Sequence, residues 1–176
     1  MIIVDNNIIS TFTRVRQLEL LFQLFPKDAL GIPPAVYDEM MDAIRQDCAF
    51  LEAAAEMVQN ERLQIATLTP AEIAAKQILP SSFGVGDAEC VIICQTRNDT
   101  LLTNDRRVRN FCRAEGIAVY DLPQLLRALW ENGILSKQRV RRLASEMEAA
   151  ENMTIKNKES IFKKGVRRKP LTNGEV

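Results

Sequence analysis

Apolar residues along the chain fall into two alternating patterns. Short unbroken runs, MIIV (1–4), ALGIP (29–33), LQIATL (63–68), TLLT (100–103) and IAVYDL (117–122), show little period-two alternation and predict strands buried on both faces. Between them, apolar positions recur every three or four residues and predict amphipathic helices. These are IISTFTRVRQLELLFQLF (8–25), PPAVYDEMMDAIRQDCAFLEAAAEMVQ (33–59), TPAEIAAKQIL (69–79), GDAECVIICQTR (86–97), DRRVRNFCRAEG (105–116) and LPQLLRALWENG (122–133). Pro34 suits a first helical turn, Thr69 is placed to cap the helix that opens at Pro70, and Gly116 and Gly133 serve as C-terminal stops.

Strand and helix in alternation build an α/β fold, with helices on both faces of a central parallel sheet of about five strands: a three-layer α/β/α arrangement. A further helix is predicted over ILSKQRVRRLASEMEAAEN (134–152), after which the chain turns polar, basic and Pro/Gly-punctuated. The expected organisation is a domain over 1–135, a closing helix packed on it at 136–151, and a basic C-terminal tail at 152–176, mobile in part. No internal repeat is present.

Composition narrows the chemistry. With 176 residues, 47% of them apolar, the chain can bury one substantial core. No run of about 18 uncharged apolar residues exists, so no membrane span is expected. An N-terminal stretch with no basic segment and an acid at position 5 predicts a cytoplasmic protein. Cys48, Cys90, Cys94 and Cys112 include no C-x-x-C pair and read as small hydrophobes rather than a zinc site. Histidine is absent, which removes imidazole acid–base catalysis and His-ligated zinc. The formal net charge is zero but unevenly placed: residues 1–135 hold 12 Lys and Arg against 18 Asp and Glu, and residues 136–176 hold 11 against 5. An acidic body therefore carries a basic C-terminal segment.

Four acids sit where this frame converges. Asp5 ends the first strand, Glu39 lies near the start of the helix after the second, Asp87 opens a helix behind the turn FGVGD, and Asp105 ends the strand TLLT. Loops at the carboxyl ends of parallel strands meet at one crevice, where ligands bind. Taken singly, each Asp is explained as a helix N-cap and Glu39 as a solvated helix acid. Gathered together, carboxylates repel one another unless a cation neutralises them, and a set without imidazole or thiolate points to Mg²⁺ or Mn²⁺.

The segments around these acids resemble the motifs of PIN-domain nucleases. IIVDNNIIS is similar to their opening strand and D-x-[SN]; IPPAVYDEM is similar to the second motif, with Glu39 as its glutamate. FGVGDAECVIIC is similar to the G-x-G-[DE]-x-E helix start of a bacterial and archaeal branch that includes VapC-like toxins, and LLTNDRRVRN is similar to the T-x-D motif. The resemblance spans roughly residues 1–135, and the helices after it are similar to the closing helices of that branch. It implies a metal pocket of Asp5, Glu39, Asp87 and Asp105 with Mg²⁺ or Mn²⁺ as cofactor, Asn7 and Thr103 as polar companions, and cleavage of RNA to a 3′-hydroxyl and a 5′-phosphate. Two positions depart from the branch: Asp87 stands where glutamate is commoner, and Asn104 where many relatives have a second aspartate. Glu89 is read either as a spare ligand or water-orienting group or as an exposed helix acid.

Asp105 is followed by Arg106, Arg107 and Arg109. Singly each reads as a solvated side chain; as a group they are expected to supply at least one contact to substrate phosphate. Family resemblance also implies a cognate antitoxin as a partner, against the alternatives of a housekeeping nuclease or an idle RNA- or partner-binding module. Apolar QLELLFQLF (17–25) is explained equally by a homodimer face and by the chain's own core.

Overall fold

The computed structural model describes residues 1–156 and 158–163. Five short strands, β1 (Ile2–Val4), β2 (Leu30–Ile32), β3 (Leu63–Ile65), β4 (Thr100–Leu102) and β5 (Val119–Tyr120), form one sheet in the order β3-β2-β1-β4-β5. Every pairing is parallel; Val4 lies beside Leu102, and Ile3 is flanked by Gly31 and Leu101. Helices on both faces complete the three-layer α/β/α arrangement predicted from the alternation. β1, β2 and β4 are wholly buried, as unbroken apolar runs require, whereas the edge strand β3 buries Leu63 and exposes Gln64 and Ile65.

Two predicted helices are broken. The 8–25 stretch divides into α1 (Asn6–Arg14) and α2 (Glu19–Leu24), with Arg16 at φ 56° between them. The 33–59 stretch divides into α3 (Pro34–Arg45), a 3₁₀ turn at Ala49–Leu51 and α4 (Glu52–Gln59), with Asp47 at φ 67°. In each case a left-handed residue turns the chain so that both pieces keep an apolar face on the core. Leu20, Leu21, Leu24 and Phe25 are all buried, so most of the apolar surface of QLELLFQLF belongs to the chain's own interior.

α5 (Pro70–Ala75) and a 3₁₀ turn (Lys76–Ile78) lead to α6 (Val85–Arg97), followed by α7 (Arg106–Ala114), α8 (Leu122–Glu131) and α9 (Lys137–Glu151). Thr69 caps α5 through a capping box: its hydroxyl accepts the Glu72 N–H at 3.3 Å while Glu72 Oε2 accepts the Thr69 N–H at 2.7 Å. Glu72, only 3% exposed, also takes Arg97 Nε at 2.8 Å and Nη2 at 2.7 Å and the Thr96 hydroxyl at 2.7 Å, which bolts α5 to α6. Gly116 and Gly133, both at φ 72°, close α7 and α8 as predicted.

The stretch after Asn152 is built into the body as far as Lys163. A short helix, α10 (Lys158–Phe162), packs on α8; Ile155, Ile161 and Phe162 are buried, and Trp130 donates its indole N–H to the Ile161 carbonyl at 2.9 Å. Residues 164–176, the rest of the expected tail, lie outside the described residues. Among the described residues no helix is long and apolar enough to cross a membrane.

Candidate active site at the carboxyl ends of β1 and β4

The strand order places the reversal of winding between β1 and β4, and the crevice beyond their carboxyl ends is the natural ligand site of such a sheet. Asp5 follows β1 directly and Asp105 follows β4 after Thr103 and Asn104. Glu39 projects from α3, beyond β2, and Asp87 from the first turn of α6.

Asp5 is the buried member, 5% exposed. Its Oδ2 accepts the Thr103 hydroxyl at 2.6 Å and the Asn7 side-chain amide. Asn7 in turn donates to Thr103 Oγ1 at 3.2 Å and accepts the Asn104 N–H at 2.8 Å, while the Asp105 N–H donates to Thr103 Oγ1 at 3.1 Å. Asn7 and Thr103 thus stitch the end of β1 to the end of β4 and orient Asp5. Burial pushes the Asp5 carboxyl up to about 6; the Thr103 hydroxyl opposes this, and the charges of Asp87 and Glu39 add to it.

The other acids sense one another too. Burial raises Glu39 and Asp87 above the ordinary range. Asn6 and the Gly86 N–H pull Glu39 back while Asp87 and Glu89 push it up; the Gly84 N–H pulls Asp87 back while Asp105 pushes it up. Asp105 behaves differently. Burial opposes its charge, but it caps α7, accepting the Val108 N–H at 3.2 Å and the Arg107 N–H at 2.6 Å, and these bonds with the Arg107 guanidinium hold it below the usual carboxylate range.

The arginines part company. Arg106 is exposed. Arg107 reaches Asp105 Oδ2 at 3.3 Å and the Ser82 carbonyl at 3.2 Å, tying α7 to the loop before α6. Phe83 and Phe111 stack edge to face, centroids 5.4 Å apart, and fasten the same loop. Arg109 turns to Asp121, the N-cap of α8, at 3.5 Å, and its Nε and Nη1 are buried without hydrogen-bond partners.

Asn6 and Glu89 also stand beside these acids. Asn6 donates to Glu39 Oε2 at 3.5 Å, and its own Oδ1 is buried with no partner. Glu89 is buried, accepting the Ala35 N–H at 2.9 Å and Lys76 Nζ at 2.8 Å, which corrects its reading as an exposed helix acid. Neither role has a local sequence signal, since both depend on partners far along the chain.

A family model described as PIN domain matches residues 1–162. The chain belongs to the PIN-domain family. The match takes in α9 and α10, in keeping with their packing on the sheet domain. No curated protein matches the chain. PIN domains are typically nucleases and generally use divalent metal ions. The donor set here fits such an ion in chemistry: carboxylate oxygens that raise one another's affinity for protons, with the unpartnered Asn6 Oδ1 beside Glu39. Among the described residues, no three of these acids converge into a ready-made coordination set. Each is engaged instead by internal donors: Thr103 and Asn7 on Asp5, Asn6 on Glu39, the Gly84 N–H on Asp87, and the start of α7 on Asp105.

Proposed function

We propose that this PIN domain is a Mg²⁺- or Mn²⁺-dependent ribonuclease acting in the cytoplasm, with Asp5, Glu39, Asp87 and Asp105 as its metal-holding carboxylates. The observation that carries the reading is a buried carboxylate, Asp5, held by Thr103 and Asn7 where the ends of β1 and β4 meet. A carboxyl buried beside two other acids and pushed up to about 6 gains most from a cation. A bound divalent ion would supply a nucleophilic water and neutralise charge on the scissile phosphate. The chain's own residues prepare for this. Thr103 and Asn7 hold one oxygen of Asp5 and so aim the carboxylate, and the first turn of α7 fixes Asp105. Arg107 and the exposed Arg106, at the mouth, bind phosphate on the substrate strand, while Arg109 supports the α8 start.

The test is incubation with a mixed RNA pool in Mg²⁺, Mn²⁺ or EDTA, with end analysis of the products. Metal-dependent 3′-hydroxyl and 5′-phosphate ends, lost in Asp5→Asn and Asp105→Asn, support the reading; cleavage that persists in EDTA refutes it. The internal engagement of all four acids favours one second reading, an idle module that binds RNA or a partner without turnover. It predicts RNA binding with no products in any metal. A toxin role adds a cognate antitoxin, whose peptide across the crevice would cover Val85, 62% exposed two residues before Asp87. A short open reading frame immediately upstream would support that assignment.

A further inference from the structure

α3, the helix that carries Glu39, begins at Pro33-Pro34, and its N-cap Pro33 offers no side-chain acceptor. The free N–H groups of its first turn therefore need an acceptor from elsewhere. α6 supplies one: Glu89 Oε2 accepts the Ala35 N–H at 2.9 Å, 54 positions away in the chain. Its other oxygen takes Lys76 Nζ at 2.8 Å, so the charge of a residue only 8% exposed is paired. Glu39 of α3 in return lies against the first turn of α6: a Cβ at Gly86 would come within 2.8 Å of Glu39 Oε1. A glutamate of each helix is thus seated at the start of the other.

We infer that Glu89 is a positioning residue for the metal-dependent reaction: it sets α3 against α6 so that Glu39 and Asp87 present their carboxylates to one ion. The inference rests on the function proposed above. The two glutamates are not equivalent in use. Glu39 is one of the proposed metal-holding carboxylates, whereas Glu89 is committed to Ala35 and Lys76 and keeps the two helices in register. Groups standing behind metal ligands in this way typically contribute about 10–100-fold in metal affinity or activity.

The test compares full-length wild type, Glu89→Ala and Glu89→Gln by Mn²⁺ affinity, from free Mn²⁺ in electron paramagnetic resonance, by melting in EDTA, and by kcat and KM on RNA. Glu89→Ala should bind Mn²⁺ about 10–100-fold more weakly and lose kcat similarly, with KM nearly unchanged. In Glu89→Gln the amide oxygen can still accept the Ala35 N–H, so most Mn²⁺ affinity should return although Lys76 stays unpaired and the Tm remains depressed. Mn²⁺ affinity that merely tracks Tm across the three proteins overturns the inference, as does wild-type affinity in Glu89→Ala below its Tm. A wild type that takes up no Mn²⁺ removes the proposed function itself, and this role with it.

Discussion

Replacing Asp5 by asparagine should stabilise the metal-free protein, and by an amount that depends on pH. The new amide oxygen can occupy the place of Oδ2 and keep the bonds from Thr103 and Asn7, so the substitution removes a charge and little else. The folded chain holds the Asp5 proton up to about 6 against an ordinary value of 3.8. Between those values the folded state binds more protons than the unfolded one, so stability falls as pH rises through the window, and the full loss applies above it. A difference of about two pKa units corresponds to about 3 kcal/mol. The uncharged amide escapes this loss. In EDTA, the gain in unfolding free energy for Asp5→Asn should be a fraction of a kcal/mol near about pH 4 and approach about 3 kcal/mol near about pH 8. For a chain of this length that is about 6–12 °C in Tm at the higher pH. Urea unfolding of both proteins at the two pH values, with equal m-values, measures the gap. A gap of the same size at both pH values would show that burial of the Asp5 charge is not the source, and the strain argued for the crevice would fall with it.

Glu72→Gln should destabilise by about 2–4 kcal/mol near neutral pH, because it strips the charge from a buried pair with Arg97. Arg97 and its hydrogen-bonded neighbours hold Glu72 well below its ordinary 4.5, so the contribution is complete above that value and shrinks as pH falls beneath it; urea melts of both proteins should converge in acid. Mn²⁺ at about 100 times its dissociation constant should raise wild-type stability by about 2.7 kcal/mol and shift Asp105→Asn much less, read by calorimetry; equal shifts would place the ion elsewhere. Truncation after Lys163 should weaken RNA binding through loss of Lys164, Arg167, Arg168 and Lys169, with a flatter salt dependence, whereas truncation from Asn152 should in addition cost at least about 4 kcal/mol by exposing the sites of Ile155, Ile161 and Phe162.

The βα rhythm was legible because it is local: an apolar run reports its own burial, and Asp5 and Asp105 mark strand-to-helix junctions, whereas Glu39 and Asp87 lie on helices and were singled out with the help of resemblance to family motifs. The breaks at Arg16 and Asp47 were not, since helical periodicity runs through them and an arginine or aspartate gives little warning of a positive φ. Exposure along β3 follows from its place at the sheet edge, which only the strand order reveals. The stretch after Asn152 read as a basic tail because its lysines hide the apolar anchors Ile155 and the pair Ile161 and Phe162, whose partners lie on other helices. Asn6, Glu72 and Glu89 owe their roles to tertiary neighbours; Glu72, apart from its local capping box, and Glu89 look like ordinary helix acids in one dimension.

The bond from Thr103 to Asp5 joins residues 98 positions apart. During synthesis the first strand leaves the ribosome long before its partner exists, and β4 cannot dock until the whole of α6 has followed. A partly made chain therefore has one edge of the crevice and no opposite wall, and closing so long a loop comes late in folding. If the domain is the ribonuclease proposed above, cleavage awaits completion of nearly its entire sheet, and the nascent chain is by connectivity alone inert beside the messenger encoding it.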